Sequence, residues 1–256
     1  MSDPRRTERP VWADLATPDP AAAHAFYGAL LGWTVTVNPD PAYGGYALAT
    51  RDGGNVAGIR PLVGAGMPPA WSLYIGTESI DGLMGRVTAA GGSVVAPPMQ
   101  VGDQGRLAVV RDPVGAFVGA WEAGGMTGFA ADGPGTVCWS ELNARGADRA
   151  RDFYTGLFGW TTRATRLPDG REYTTLAADG SAFGAVVEMH PGVPPMVPSY
   201  WMVYFRVADC AAAYAQACAL GAGEMLSPVP YGHGSLAILT DPQGALFGLM
   251  DVRDPA

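Results

Sequence analysis

The chain has 256 residues, 48% of them hydrophobic and 16% charged, which is enough apolar material for one large domain or two ordinary ones and too much for a disordered chain. The net charge is −8 and every one of the 16 basic residues is Arg, with no basic run, so nucleic acid is not an expected partner. No apolar stretch reaches the ~18–20 residues of a membrane span, and the opening MSDPRRTERP lacks the apolar core of a signal peptide, so a cytoplasmic protein without membrane contact is expected.

Residues 1–10 read as a frayed tail. VWADLAT then alternates, with Val11, Ala13 and Leu15 on one strand face and Trp12, Asp14 and Ala16 on the other. Thr17 or Asp19 caps a helix running through Ala22, Phe26 and Leu30 to Gly32, and WTVTVN, GYALATRDG and NVAGIRP follow as short strands. The order strand–helix–strand–strand–strand recurs from WSLYIG through SIDGLMGRVTAAG to AFVGAWE. Gly124 to Pro134 is glycine-rich and reads as a linker. Beyond it TVCWSELNA, DRARDFYTGLFG and three strands form a third unit, and YWMVYFRV, CAAAYAQACALG and three more strands a fourth.

The units are repeats. WADLATPDPAAAHAFYGALLGW and WSELNARGADRARDFYTGLFGW share an opening Trp, an acid two residues on, Phe-Tyr and a closing Gly-Trp; Trp12 to Trp139, Phe26 to Phe153 and Trp33 to Trp160 are each 127 residues apart. DPVGAFVGAW and DPQGALFGLM close the two halves in the same way. A gapless repeat of this length is a duplicated structural unit. The expectation is an α+β fold of four βαβββ units in two tandem halves, 11–123 and 135–256, joined by 124–134. Each unit is too small to bury its sheet alone, so paired units should leave a cupped inner face. Whether neighbouring units pair, or one with four and two with three, stays open.

Paired βαβββ units with an AFYGALLGW or DFYTGLFGW helix and a closing DPxGAxxG strand resemble the vicinal oxygen chelate superfamily, which holds glyoxalase I, extradiol dioxygenases and bleomycin-binding proteins. The resemblance implies cupped sheets with metal ligands at fixed inward positions. Mapped here, those positions are Trp12, Ser72, Trp139 and Met202 on first strands and Gly58, Gly119, Gly184 and Gly248 on last strands. None is an ordinary ligand for a divalent cation. No metal and no other cofactor is therefore expected. Two-half actinobacterial members with Trp at these places, among them the DnrV-type protein of the doxorubicin pathway and the 27 kDa antigen, are a narrower resemblance. It would imply an anthracycline-like polyketide ligand and a biosynthetic oxidase as a further partner.

The inward face suggests what replaces a metal. By strand parity it carries Trp12, Asp14, Trp139 and Glu141, then Tyr74, Met202, Tyr204 and Arg206, with Phe117, Trp121, Leu246 and Met250 beside the glycines. The four glycines are expected to open floor space, and the aromatic walls to hold a planar hydrophobic ligand. Each has a plainer alternative: the Trp and Tyr side chains as packing, the two acids as ion-paired strand residues. Asp14, Glu141 and His233, in the loop PYGHGS, are the candidates for moving a proton. Trp71 and Trp201 fall on the other parity and should pack against helices. Cys138, Cys210 and Cys218 have no metal-type spacing and read as small apolar residues. The leading reading is a metal-independent aromatic-ligand binder; a cofactor-independent cyclase, isomerase or epoxide-opening enzyme is second, and a metal-dependent glyoxalase or dioxygenase third.

Overall fold

The structure is a computed structural model that describes residues 8–64, 66–232 and 234–251. The first unit is β1 (Pro10–Thr17), α1 (Pro20–Leu31), β2 (Thr34–Val37), β3 (Ala47–Arg51) and β4 (Gly54–Pro61), with one 3-10 turn at Pro41–Tyr43. The second is β5 (Ala70–Gly76), α2 (Ile80–Ala89), β6 (Ser93–Val101), β7 (Gly105–Arg111) and β8 (Phe117–Ala123). The third is β9 (Val137–Ala144), α3 (Ala147–Phe158), β10 (Thr161–Arg166), β11 (Glu172–Ala178) and β12 (Ser181–Glu188). The fourth is β13 (Tyr200–Arg206), α4 (Cys210–Ala219), β14 (Gly223–Tyr231), β15 (Gly234–Thr240) and β16 (Leu246–Asp251). The strands fall in two eight-stranded sheets, β2-β3-β4-β1-β5-β8-β7-β6 and β10-β11-β12-β9-β13-β16-β15-β14.

Local sequence explains the helix ends. Asp19 caps α1 by accepting from the Ala22 N–H, Pro20 stands at the first helical position, and Gly32 closes the helix at φ 71, where a side chain would be strained. Ser79 and Asp209 cap α2 and α4 in the same manner. α3 has Gly146 at its cap and no capping side chain of its own; the Glu188 carboxylate from β12 accepts from the Gly146 and Ala147 N–H groups instead.

Two compact units divide the chain, and each draws one repeat from either half. One comprises residues 1–11, 73–128 and 140–202; the other comprises 12–72, 129–139 and 203–256. In the second, α1 buries Phe26 and Tyr27 against Trp71, Phe205 and Phe247, with Trp33 stacked on Tyr27 at 5.4 Å. In the first, α3 buries Phe153 and Tyr154, with Trp160 stacked on Tyr154 at 5.6 Å and Trp201 edge-on at 5.3 Å. Trp71 and Trp201 thus pack on the helices, as their parity predicts.

Residues 1–7 lie outside the described residues, but the end of the expected tail is held: the Glu8 N–H donates to the Gly76 carbonyl, and the Glu8 carbonyl accepts from the Trp160 indole. The glycine-rich segment 124–134, read as a linker, is hydrogen-bonded along its length. Gly124 and Met126 donate to the Gln104 carbonyl, Ala130 donates to the Asn55 carbonyl, and Met126 accepts from the Trp121 indole. Its glycines serve close approach: a Cβ at Gly128 would overlap the Val11 carbonyl.

Candidate functional site

The residues that repeat most plainly turn out to build the core. Tyr27 on α1 donates its hydroxyl to Asp241 Oδ2 at 3.1 Å and accepts from the Trp71 indole N–H at 3.0 Å. Tyr154 on α3 donates to Asp112 Oδ2 at 3.1 Å and accepts from the Trp201 indole N–H at 2.9 Å. The other oxygen of each aspartate accepts two backbone N–H groups of its own turn, Val114 and Ala116 for Asp112, Gln243 and Ala245 for Asp241. The tyrosine of Phe-Tyr and the aspartate of DPxGA are therefore parts of one buried hydrogen-bonded device, made twice, and the Gly-Trp tryptophans Trp33 and Trp160 stack on its tyrosines. Burial raises the carboxyl pKa of both aspartates, against the pull of these hydrogen bonds.

Strand register assigns the opposite sheet face. Asp14 pairs with Gly58, and Leu48 pairs with Gly58, so Trp12, Asp14, Leu48, Gly58 and Arg60 share a side. Tyr74 pairs with Gly119 and Tyr204 with Gly248. The glycines do not open floor. A Cβ at Gly58 would overlap the Tyr46 hydroxyl, one at Gly119 the Tyr74 ring, and one at Gly248 the Tyr204 ring. Each is a seat for a tyrosine, and the space it provides is filled. In the third unit the register corrects the mapping by one residue: Gly184 pairs with Ser140, on the helix side, and Ala185 is the partner of Glu141.

The two halves differ on this face. Trp12 is 2% exposed; its indole N–H donates to the Tyr46 hydroxyl at 2.8 Å and its ring lies 5.6 Å from Phe129. Asp14 is buried and ion-paired with Arg60 at 3.3 Å. Burial, reinforced by the nearby Asp14 carboxylate, pushes the Tyr46 hydroxyl far above the usual phenol range, so it stays protonated. On β9, by contrast, Trp139 and Glu141 are partly exposed. Glu141 accepts from the Asn143 amide at 3.0 Å. Tyr200 on β13 is held protonated by burial and then by the Glu141 charge.

Of the other expected site residues, Tyr74, Trp121, Met202, Tyr204 and Met250 are buried, Arg206 is partly exposed, and Phe117 is 52% exposed. His233 lies outside the described residues. Cys138 faces the helix side, where burial pushes its thiol up to about 12, a poor nucleophile. Tyr46, Arg60, Phe129, Asn143 and Tyr200 are neighbours of the candidate groups that parity alone did not single out. The matching offset of Tyr46 and Tyr173 was the one available signal.

Residues 9–118 match the Glyoxalase/Bleomycin resistance protein/Dioxygenase superfamily, and residues 139–250 match the Glyoxalase-like domain. CFP32 of Mycobacterium tuberculosis, named as a glyoxylase, is 39% identical over 96% of this chain and 97% of its own length. The anthracycline biosynthesis protein DnrV of Streptomyces peucetius is 37% identical over 96% and 94%. The chain belongs to the glyoxalase/bleomycin resistance/dioxygenase superfamily. Solved structures agree in fold: the Mn(II)-bound glyoxalase of Novosphingobium aromaticivorans has a TM-score of 0.70 at 16% identity, covering 96% of this chain and 82% of that one. The dioxygenase LapB of Pseudomonas sp. KL28 has 0.66 at 16%, covering 97% and 93%.

A divalent metal such as that glyoxalase holds needs a converging set of imidazole and carboxylate donors. Here the positions mapped as inward carry Trp12, Ser72, Trp139 and Met202, the tyrosine-capped Gly58, Gly119 and Gly248, and Ala185 in the third unit. Asp14 is spoken for by Arg60, and Glu141 accepts from Asn143. Among the described residues no three His, Cys, Asp or Glu side chains are grouped to hold an ion. The donors present do not fit the metal.

Proposed function

We propose that the chain binds a planar aromatic natural product of the anthracycline-like polyketide class, without a metal, on the helix-averted side of β9. The observation that carries this reading is the contrast between the two equivalent Trp–acid pairs. Trp12 and Asp14 are buried, with Tyr46, Phe129 and Arg60 against them, whereas Trp139 and Glu141 are partly exposed. An accessible indole offers a flat apolar surface, and ring stacking of this kind is worth about 0.5–1.5 kcal/mol beyond burial. Glu141, Asn143 and the protonated Tyr200 supply an acceptor, an amide and a hydroxyl to orient polar substituents. The names of DnrV and of DauV from Streptomyces sp., 36% identical, support this ligand class. The role would be sequestration or service beside a biosynthetic oxidase.

The second reading, a cofactor-independent enzyme acting on a polyketide, is favoured by one observation. Glu141 lies within electrostatic reach of a tyrosine that stays protonated, a base beside an acid. Titration with an anthracycline panel in the presence of EDTA, followed by tryptophan quenching, tests binding. Saturable quenching that EDTA leaves intact and Trp139→Ala weakens at least tenfold is the expected result; no binding by any planar aromatic would overturn it. Mass spectra of the recovered ligand separate a binder from a catalyst.

A further inference from the structure

The first half carries a tryptophan with its two binding handles already occupied by the protein itself. The Trp12 ring lies 5.6 Å from the Phe129 ring at a tilt of 35°, and its indole N–H is taken by Tyr46 at 2.8 Å. These are the two contacts a planar aromatic ligand with a polar substituent would make: a ring against the indole face and an acceptor at Nε1. Phe129 comes from neither a helix nor a strand but from the segment 124–134. Around it the segment is pressed onto the strand starts, with Ala130 bonded to the Asn55 carbonyl and Gly128 close against the Val11 carbonyl. Phe129 is itself partly exposed, while the helix-side aromatic cluster of Phe26, Tyr27, Trp33, Trp71, Phe205 and Phe247 is complete without it. A partly exposed Phe that adds nothing to that cluster and lies against the repeat-equivalent tryptophan of the first half has the position of a ligand rather than of core.

We infer that Trp12 marks a second aromatic-ligand subsite, which Phe129 occupies in place of the ligand. The subsite takes the same class of flat aromatic molecule, and in that respect the inference rests on the proposed function at Trp139. The chain as it stands then binds one ligand, and vacating the Phe129 position opens a second place. Tyr46 remains to receive the Trp12 N–H, so the vacated subsite is apolar on its face and satisfied at its edge.

The test is binding stoichiometry. Daunorubicin is titrated by calorimetry into the full chain, Phe129→Ala, Phe129→Ala/Trp12→Ala and Phe129→Ala/Trp139→Ala, with far-ultraviolet spectra to verify folding. Phe129→Val serves as a milder second variant, read in the same way, should Phe129→Ala fail to fold. The expected stoichiometries are one for the parent chain, two for Phe129→Ala and one for either double variant. A value of one for both the parent and the Phe129 variant overturns the subsite and leaves the Trp139 site standing. A parent value of two overturns the occlusion. No binding by the parent but one equivalent in Phe129→Ala, abolished by Trp12→Ala, supports the subsite and overturns the proposed function. No binding by any variant overturns both.

Discussion

The two halves of this chain agree on one face of their sheets and part company on the other. On the helix side, Tyr27–Trp71–Asp241 and Tyr154–Trp201–Asp112 match atom for atom in their hydrogen bonds. On the opposite side, the same offset relates Trp12 to Trp139 and Asp14 to Glu141, yet one pair is buried and the other accessible. A buried, fully hydrogen-bonded network tolerates little change, because losing one partner strands the others. A face that has to meet a ligand is under no such constraint, and that is where duplicated units diverge.

The helix-side symmetry is tested most severely by Asp112→Ala and Asp241→Ala. Each strands a buried tyrosine hydroxyl and two turn N–H groups, so each should lower unfolding free energy by about 3 kcal/mol in chemical denaturation. A gap of more than about 1 kcal/mol between the two would break the equivalence. Next come the tyrosine seats. Gly119→Ala and Gly248→Ala force a methyl group into a ring and should cost about 2 kcal/mol each. Pairing Gly248→Ala with Tyr204→Leu should recover part of that loss in a double-mutant cycle, since the two changes compete for one space.

The divergent face calls for unequal responses. Asp14→Ala leaves Arg60 without its buried partner and should cost about 2 kcal/mol, whereas Glu141→Ala, at an accessible position, should cost under about 1 kcal/mol while weakening ligand binding. The smallest effect is one of pH. Burial raises the folded carboxyl pKa of Asp112 and Asp241 above 3.8, so their protonated forms favour the fold. Their contribution is fullest below pH 3.8 and declines as pH rises through the raised folded value. In Asp241→Asn, where residue 241 no longer titrates, stability measured from pH 3.5 upward should decline less steeply, Asp112 still supplying its share; an unchanged pH slope would count against it.

Much of this was legible before any coordinates. Hydrophobic alternation and the 127-residue offset located the strands, the helices and the split into four units, because period and repeat are properties of the backbone. Alternation also put Trp71 and Trp201 on the helix side. It failed where a single residue of register matters, as at Gly184: the 127-residue offset carries Gly58 to Ala185, the partner of Glu141, and the glycine stands one place before it. It also failed where side chains arrive from elsewhere in the chain. Tyr46 over Gly58 and Phe129 over Trp12 are invisible to parity, so glycines that read as empty floor proved to be occupied. The buried state of the first pair and the neighbours of Glu141 were out of reach for the same reason.

The way repeats are shared between the compact units has a consequence for how the molecule comes into being. Tyr27 and its acceptor Asp241 are 214 residues apart, while Tyr154 and Asp112 are 42 apart. On a ribosome the unit centred on residues 73–202 can close long before synthesis ends. Strands β1 to β4 must wait for residues 203–256, which at about 5–20 residues per second is a delay of roughly ten seconds or more. During that interval the first repeat displays an unfilled apolar face, and loop closure over so long a span is entropically slow. The chain should therefore emerge with residues 73–202 folded first, and with the first repeat and residues 203–256 last to meet.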